Sequence, residues 1–187
     1  IGSAATADGA LMAWMTLATY LFVDAVYRGG RWWHLPGIAL ALGLAQLTKG
    51  PVGLLPLATM AATGMLGRGS CGLPRRWWRI GLPAAGVASF GIFALWGVPA
   101  NIATDGQYLR EAIGVHVGGR VVEAQEGHGG TSVLGYLAML PVYVPFLIAG
   151  FFPWVLHLPG ALRAMLSRTL GDARDRAVLW GWVLPTF

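Results

Sequence analysis

Apolar residues run through this chain in long blocks separated by short polar stretches. The first block is Leu11–Tyr27; Leu35–Thr48 and Val52–Leu66 follow, then Ile80–Pro99 and Val133–Leu158, and Val178–Phe187 is an incomplete sixth. A helix of about 20 apolar residues crosses a bilayer. The pattern therefore predicts an all-α, polytopic transmembrane helix bundle with about five to six membrane segments. Between the blocks lie Arg28–His34, Gly67–Arg79, Ala100–Ser132 and Leu162–Ala177. Residues 1–187 read as the internal part of a single transmembrane domain carrying one long loop at about 100–132. The polar start and the truncated last block fit a piece of a longer protein.

One residue interrupts the pattern sharply. Lys49 falls near the middle of the apolar stretch Leu35–Leu66, inside Gln46-Leu47-Thr48-Lys49-Gly50-Pro51. A cation there costs from a few to over ten kcal/mol, and chains that keep one use it to hold an anion or line a polar cavity. The Gly-Pro that follows ends the helix and frees backbone groups, which membranes tolerate only against protein or water. Position 49 also fits a lysine snorkelling from a helix end.

Charge then orients the blocks. Arg28 and Arg31 share one polar stretch, Arg68, Arg75, Arg76 and Arg79 the next, and Arg163, Arg168, Arg174 and Arg176 the last. If Leu35–Leu66 is a hairpin turning at Lys49, all of these lie on one face, as the positive-inside rule favours. A single crossing would split them. The hairpin leaves Lys49, Arg110 and Arg120 on the other face, beside Asp105, Glu111, Glu123 and Glu126, with Thr48-Lys49-Gly50 lining a shallow cavity. Trp32-Trp33 and Trp77-Trp78 would extend the short hairpin arms into the headgroups of the arginine face.

Composition agrees. The chain is 56% hydrophobic and 11% charged, against about 25% charged in a soluble domain. Its formal charge of +5 comes almost entirely from arginines in short loops, which suits membrane orientation better than nucleic-acid binding. A lone Cys71 excludes an intrachain disulfide and a multi-cysteine metal site. No GxSxG elbow, Walker loop or GxGxxG occurs, which argues against hydrolase, P-loop and dinucleotide chemistry.

The remaining candidates are few. Asp105–Val117 has the spacing of an amphipathic interfacial helix. His116 and Arg120 lie four apart and could share a phosphate, or be an ordinary solvated pair. Glu123, Glu126 and His128 are the weak candidates for a divalent metal, although their spacing matches no strong zinc pattern. Asp8, just before the first block, could polarise an acceptor or hold a sugar hydroxyl; an aspartate there also serves as a helix cap. Asp24 is placed to pair with Arg28 one turn on.

Taken in order, Thr6-Ala-Asp8-Gly, Leu44-Ala-Gln-Leu-Thr-Lys49-Gly-Pro51, His116-Val-Gly-Gly-Arg120, Glu126-Gly-His128-Gly-Gly130, Tyr136-Leu and Phe152-Pro-Trp154 resemble a family. The chain is similar to membrane glycosyltransferases of the aminoarabinose transferase and dolichyl-phosphate-mannose protein mannosyltransferase superfamily, the GT-C fold. The resemblance implies an enzyme of the bacterial inner membrane with periplasmic active-site loops. It would move a sugar from a polyprenyl-phosphate carrier to a lipid, glycan or protein acceptor. Lys49 and Arg120, with His116 beside them, would bind the carrier phosphate, and Asp8 matches the family's acidic residue at the start of this helix. The family's catalytic acid in the first outer loop would lie upstream of Ile1, so this stretch alone is expected to be inactive. Where many aminoarabinose transferases place glutamate before the loop histidine, this chain has Val115. The competing expectation is a non-enzymatic transporter or flippase of an anionic lipid or solute, to which a broken helix with a buried charge is equally suited.

Overall fold

The computed structural model describes residues 7–67, 69–110, 141–142, 144–146, 148–150, 152, 154–167 and 171–186. All of the regular structure among them is helical. The chain divides into two units, Ile1–Thr104 with Gly171–Phe187, and Asp105–Leu170.

The first unit holds α1 (Ala7–Arg28), α2 (His34–Lys49), a 3-10 segment (Gly50–Leu54), α3 (Leu55–Leu66), a π-helical turn (Trp77–Gly81) that leads into α4 (Leu82–Ala103), and, from the end of the chain, α6 (Ala173–Thr186). Its centre is α2, which packs against both α1 and α4. A helix apolar all round is one buried on several sides, and Ile38, Leu42 and Ala45 are fully enclosed. Small residues allow the close approach. A side chain on Gly43 would run into Ile92 of α4, and one on Gly37 into Leu21 of α1.

The chain reverses at the predicted break. The N–H of Gly50 caps α2 through the Gln46 carbonyl, with Gly50 at φ 67°. That left-handed conformation is open to glycine and costly for other residues, and Pro51 cannot continue the ladder. The 3-10 segment folds back so tightly that a Cβ on Gly53 would lie 2.5 Å from the Gln46 backbone nitrogen. Helix α3 then descends alongside α4 and α6: Gly86 lies against Leu57, Gly64 against Trp78, and Gly181 against Thr63.

This reversal brings the basic segments of the unit together. Gly30 lies against Leu73 and Trp77, the Tyr27 hydroxyl donates to Asp175, and the Arg174 guanidinium sits 5.2 Å over the Tyr27 ring. The ends bearing Arg28 and Arg31, Arg75, Arg76 and Arg79, and Arg174 and Arg176 therefore meet at one pole. Lys49 and Asp8 occupy the other.

The number of spans needs correction. Among the described residues three stretches are long and apolar enough to cross a membrane by length and composition: Ala7–Arg28, His34–Leu66, which folds back at Gly50, and Trp77–Ala103. Counting the bent pair Val144–Gly150 and Val155–Leu166 as one more gives four, not five or six. Length is the reason. The hairpin arms α2 and α3 have only 16 and 12 residues, and α6 has 14, about 21 Å at 1.5 Å per residue. Exposed apolar side chains such as Met12, Val87, Leu95 and Ile102 cover the outside of α1 and α4, a surface suited to lipid rather than water.

The tryptophan pairs divide differently from expectation. Trp32 is exposed, but Trp77 is buried and packs with Trp78 around Phe22, ring centroids 6.1 and 5.9 Å away. The area of Trp77 stabilises the core rather than anchoring it to headgroups. Helix α6 also begins inside the stretch read as the last loop. Asp172 accepts from the N–H groups of Arg174 and Asp175, while Asp175 accepts from the N–H of Asp172. This reciprocal cap starts the helix.

The second unit contains a single turn at Gln107–Leu109, a 3-10 turn at Trp154–His157 and α5 (Leu158–Leu166). Helix α5 buries none of its residues. The interfacial helix expected over Asp105–Val117 is described only to Arg110, and the rest lies outside the described residues.

Candidate functional site

Two helix ends build the candidate site. Asp8 is in the first turn of α1 and Lys49 in the last turn of α2. Backbone dipoles leave partial positive charge at a helix N-terminus and partial negative charge at a C-terminus, so each side chain sits where its own charge is favoured. Because α1 and α2 are antiparallel neighbours, these two ends meet. The Lys49 ammonium donates to the Asp8 carboxylate across 41 positions of sequence.

The pair is open to the surroundings. The side chains of Lys49 and Asp8 are 39% and 58% exposed, which places them at the pole of the unit rather than in its packed interior. An ammonium has three donor hydrogens, and among the described residues Asp8 takes the one bond recorded for Lys49. The group can hold Asp8 and still offer hydrogens to a phosphate. Thr48 is not available for such a role, since its hydroxyl donates to the Leu44 carbonyl at 2.8 Å.

The motif around Lys49 has a second polar member whose role the sequence did not disclose. Gln46 is buried; its side-chain nitrogen donates to the Ser89 hydroxyl at 3.0 Å and the Leu42 carbonyl at 3.3 Å. The Ser89 hydroxyl in turn donates to the Gly86 carbonyl at 2.7 Å. These bonds tie the last turns of α2 to α4 and fix the angle at which Lys49 leaves the bundle.

At the opposite pole a different cluster was half foreseen. Asp24 pairs with Arg28 at 3.2 Å, as its spacing predicted. Its other oxygen is 3.0 Å from Nε2 of His34, which is fully buried. The Arg31 N–H donates to His34 Nδ1 at 2.9 Å. Nδ1 is therefore the acceptor, and Nε2–H donates to Asp24. Trp33 stacks on the same imidazole at 3.9 Å. This network locks the α1–α2 turn, about 24 Å along α1 from Asp8 at 1.5 Å per residue. The only earlier signal for it was a histidine beside a tryptophan at a loop boundary.

His116, Arg120, Glu123, Glu126 and His128 lie outside the described residues. Among the described residues no group of three or more His, Cys, Asp or Glu could hold a metal ion. Two apolar grooves mark the bundle. One of about 350 Å³ runs between Met12, Thr16, Pro56 and Trp182; the other, of about 440 Å³, lies between α3 and the start of α4. Neither includes the expected cavity at Thr48–Gly50.

No protein-family model matches this chain, and no solved structure matches it.

Proposed function

We propose that this chain is part of a membrane glycosyltransferase that moves a sugar from a polyprenyl-phosphate carrier to a lipid, glycan or protein acceptor. The observation that carries the reading is the Asp8–Lys49 pair, set at a helix break on the pole opposite the arginine-bearing ends. On the positive-inside rule that pole faces away from the cytoplasm, the side from which a periplasmic enzyme takes its carrier lipid. A fixed cation there stabilises the negative charge that develops on the departing phosphate oxygen. Asp8 keeps the ammonium aimed while no carrier is bound. By the family resemblance, Arg120 and His116 are the further residues expected to bind the carrier phosphate.

The exposed, polar location of Lys49 supports transfer over transport, since transporters hold their substrate near the bilayer midplane. The test is transfer from a defined polyprenyl-phosphate sugar by the full-length protein in vesicles. Lys49→Ala is expected to lower turnover about 10²–10³-fold, as removal of one transition-state donor does elsewhere, while insertion and folding persist. Wild-type turnover in that variant would end the assignment.

A further inference from the structure

The arginines of the basic pole are not equivalent. Arg28 is paired with Asp24 and Arg174 with Asp172. Arg75, Arg76 and Arg79 are exposed, and among the described residues no carboxylate forms an ion pair with any of them. Three uncompensated guanidinium groups within five residues repel one another and attract an anion.

One of them, Arg79, lines the larger groove. Leu57, Ala61 and Met65 of α3 form one wall, and Trp78, Arg79 and Leu82 form the other. The volume, about 440 Å³, lies within the roughly 300–1,000 Å³ of small-molecule sites. Its lining is apolar apart from Arg79. A free phosphate would gain nothing from such walls. A lipid would gain twice, its acyl chain against the groove and its phosphate on the arginines, which grip phosphate oxygens bidentately.

We infer that the groove between α3 and the start of α4 is a binding site for a phospholipid with a net negative headgroup, its phosphate held by Arg79, while Arg75 and Arg76 add to the positive charge of the same segment. Basic pockets between helices on the cytoplasmic side are suited to such headgroups. The site is at the pole opposite Lys49 and does not depend on the proposed transfer reaction.

Trp78 in the groove wall provides the readout. The full chain is reconstituted in vesicles containing brominated phosphatidylglycerol or brominated phosphatidylcholine, and the quenching assigned to Trp78 is taken as the difference from Trp78→Phe. The anionic lipid should quench it preferentially. Arg79→Gln, which alters an exposed side chain, should cut that preference about fivefold, the ratio that ~1 kcal/mol per basic residue near an anionic surface corresponds to. The total quenching of Arg79→Gln gives the same answer if Trp78→Phe does not fold. Equal quenching by the two lipids, or a preference unchanged by Arg79→Gln, would overturn the site. Protection of Trp78 from both lipids would also overturn it, because protein, such as a second copy, would then cover the groove. Inorganic phosphate at millimolar concentration should not compete; full competition would point to a free-anion site and refute the lipid.

Discussion

The Lys49 ammonium and the Asp8 carboxylate, at opposite ends of the hairpin of α1 and α2, close a salt bridge on the exposed pole of the bundle. Each is favoured by the dipole of its own helix, so neither needs the other to be tolerated there. Exposed pairs of this kind contribute about 0–1 kcal/mol. Asp8→Asn should accordingly change the stability of the bundle by less than ~1 kcal/mol in a denaturant titration in micelles. Its effect should appear in transfer instead, smaller than that of Lys49→Ala and larger in kcat than in KM, because Asp8 aims the ammonium rather than contacting the phosphate. A loss of stability well above that range would mean that the pair holds the fold together.

Gln46 and Ser89 make the opposite prediction. Both are buried and joined at 3.0 Å, where an unmet donor has no water to turn to. Side-chain hydrogen bonds between membrane helices average about 0.6 kcal/mol and reach about 1.7. Ser89→Ala should cost within that range. Gln46→Leu together with Ser89→Ala should cost less than the two single changes summed, since the pair is removed as a unit. A double-mutant cycle on unfolding free energies reads the coupling directly, and additive costs would show that the bond contributes nothing.

The hairpin turn depends on two glycines for different reasons. At Gly50 the backbone sits at φ 67°, ψ −145°, with open space where a Cβ would be, so Gly50→Ala carries only the backbone penalty of this glycine-favouring conformation, about 1–3 kcal/mol. At Gly53 an added methyl meets the backbone of Ala45 and Gln46 at 2.5–2.6 Å. Backbone cannot rotate aside as a side chain can, so Gly53→Ala should be the more damaging, at or above the ~1–3 kcal/mol of overpacking. It should also displace Lys49 and depress transfer beyond what its stability predicts. Comparing the two variants by thermal unfolding and by activity checks the order.

Much of this architecture was legible in the pattern of apolar blocks. The break at Lys49 was readable because a lysine and a Gly-Pro in an apolar run permit few other outcomes, and the arginine distribution favoured the hairpin. The number of spans came out lower because each short hairpin arm and the incomplete last block count as separate apolar blocks in the sequence, although none is long enough to cross alone. Trp77 was misplaced at the interface because sequence does not show that Phe22 waits beside it in the core. The start of α6 was written plainly in Asp172-Ala-Arg-Asp175, a reciprocal cap obscured by the arginines around it. The Asp8–Lys49 and Asp24–His34 contacts depend on the pairing of α1 with α2, a tertiary fact that no local spacing encodes. Arg120 and His116, the other half of the expected phosphate site, lie outside the described residues.

The basic pole should respond to acid through Asp175. The Tyr27 hydroxyl and then the Asp172 N–H donate to its carboxylate, and together they hold it below the usual carboxylate range. A carboxylate whose folded pKa is depressed stabilises the fold at pH values above its unfolded value, about 3.9, and loses that contribution as pH falls through the folded value. The contact joins the end of α1 to the first turn of α6, so that junction should loosen before the core does. Hydrogen exchange at Asp172–Arg176 should accelerate as pH is lowered from 5 toward 3, after correction for the intrinsic pH dependence of exchange. Asp175→Asn should give faster exchange already at pH 7 and remove most of the acid response there. The informative quantity is the difference between wild type and Asp175→Asn at each pH. If that difference stays constant from pH 7 to pH 3, the Tyr27–Asp175 bond does not couple protonation to the docking of α6.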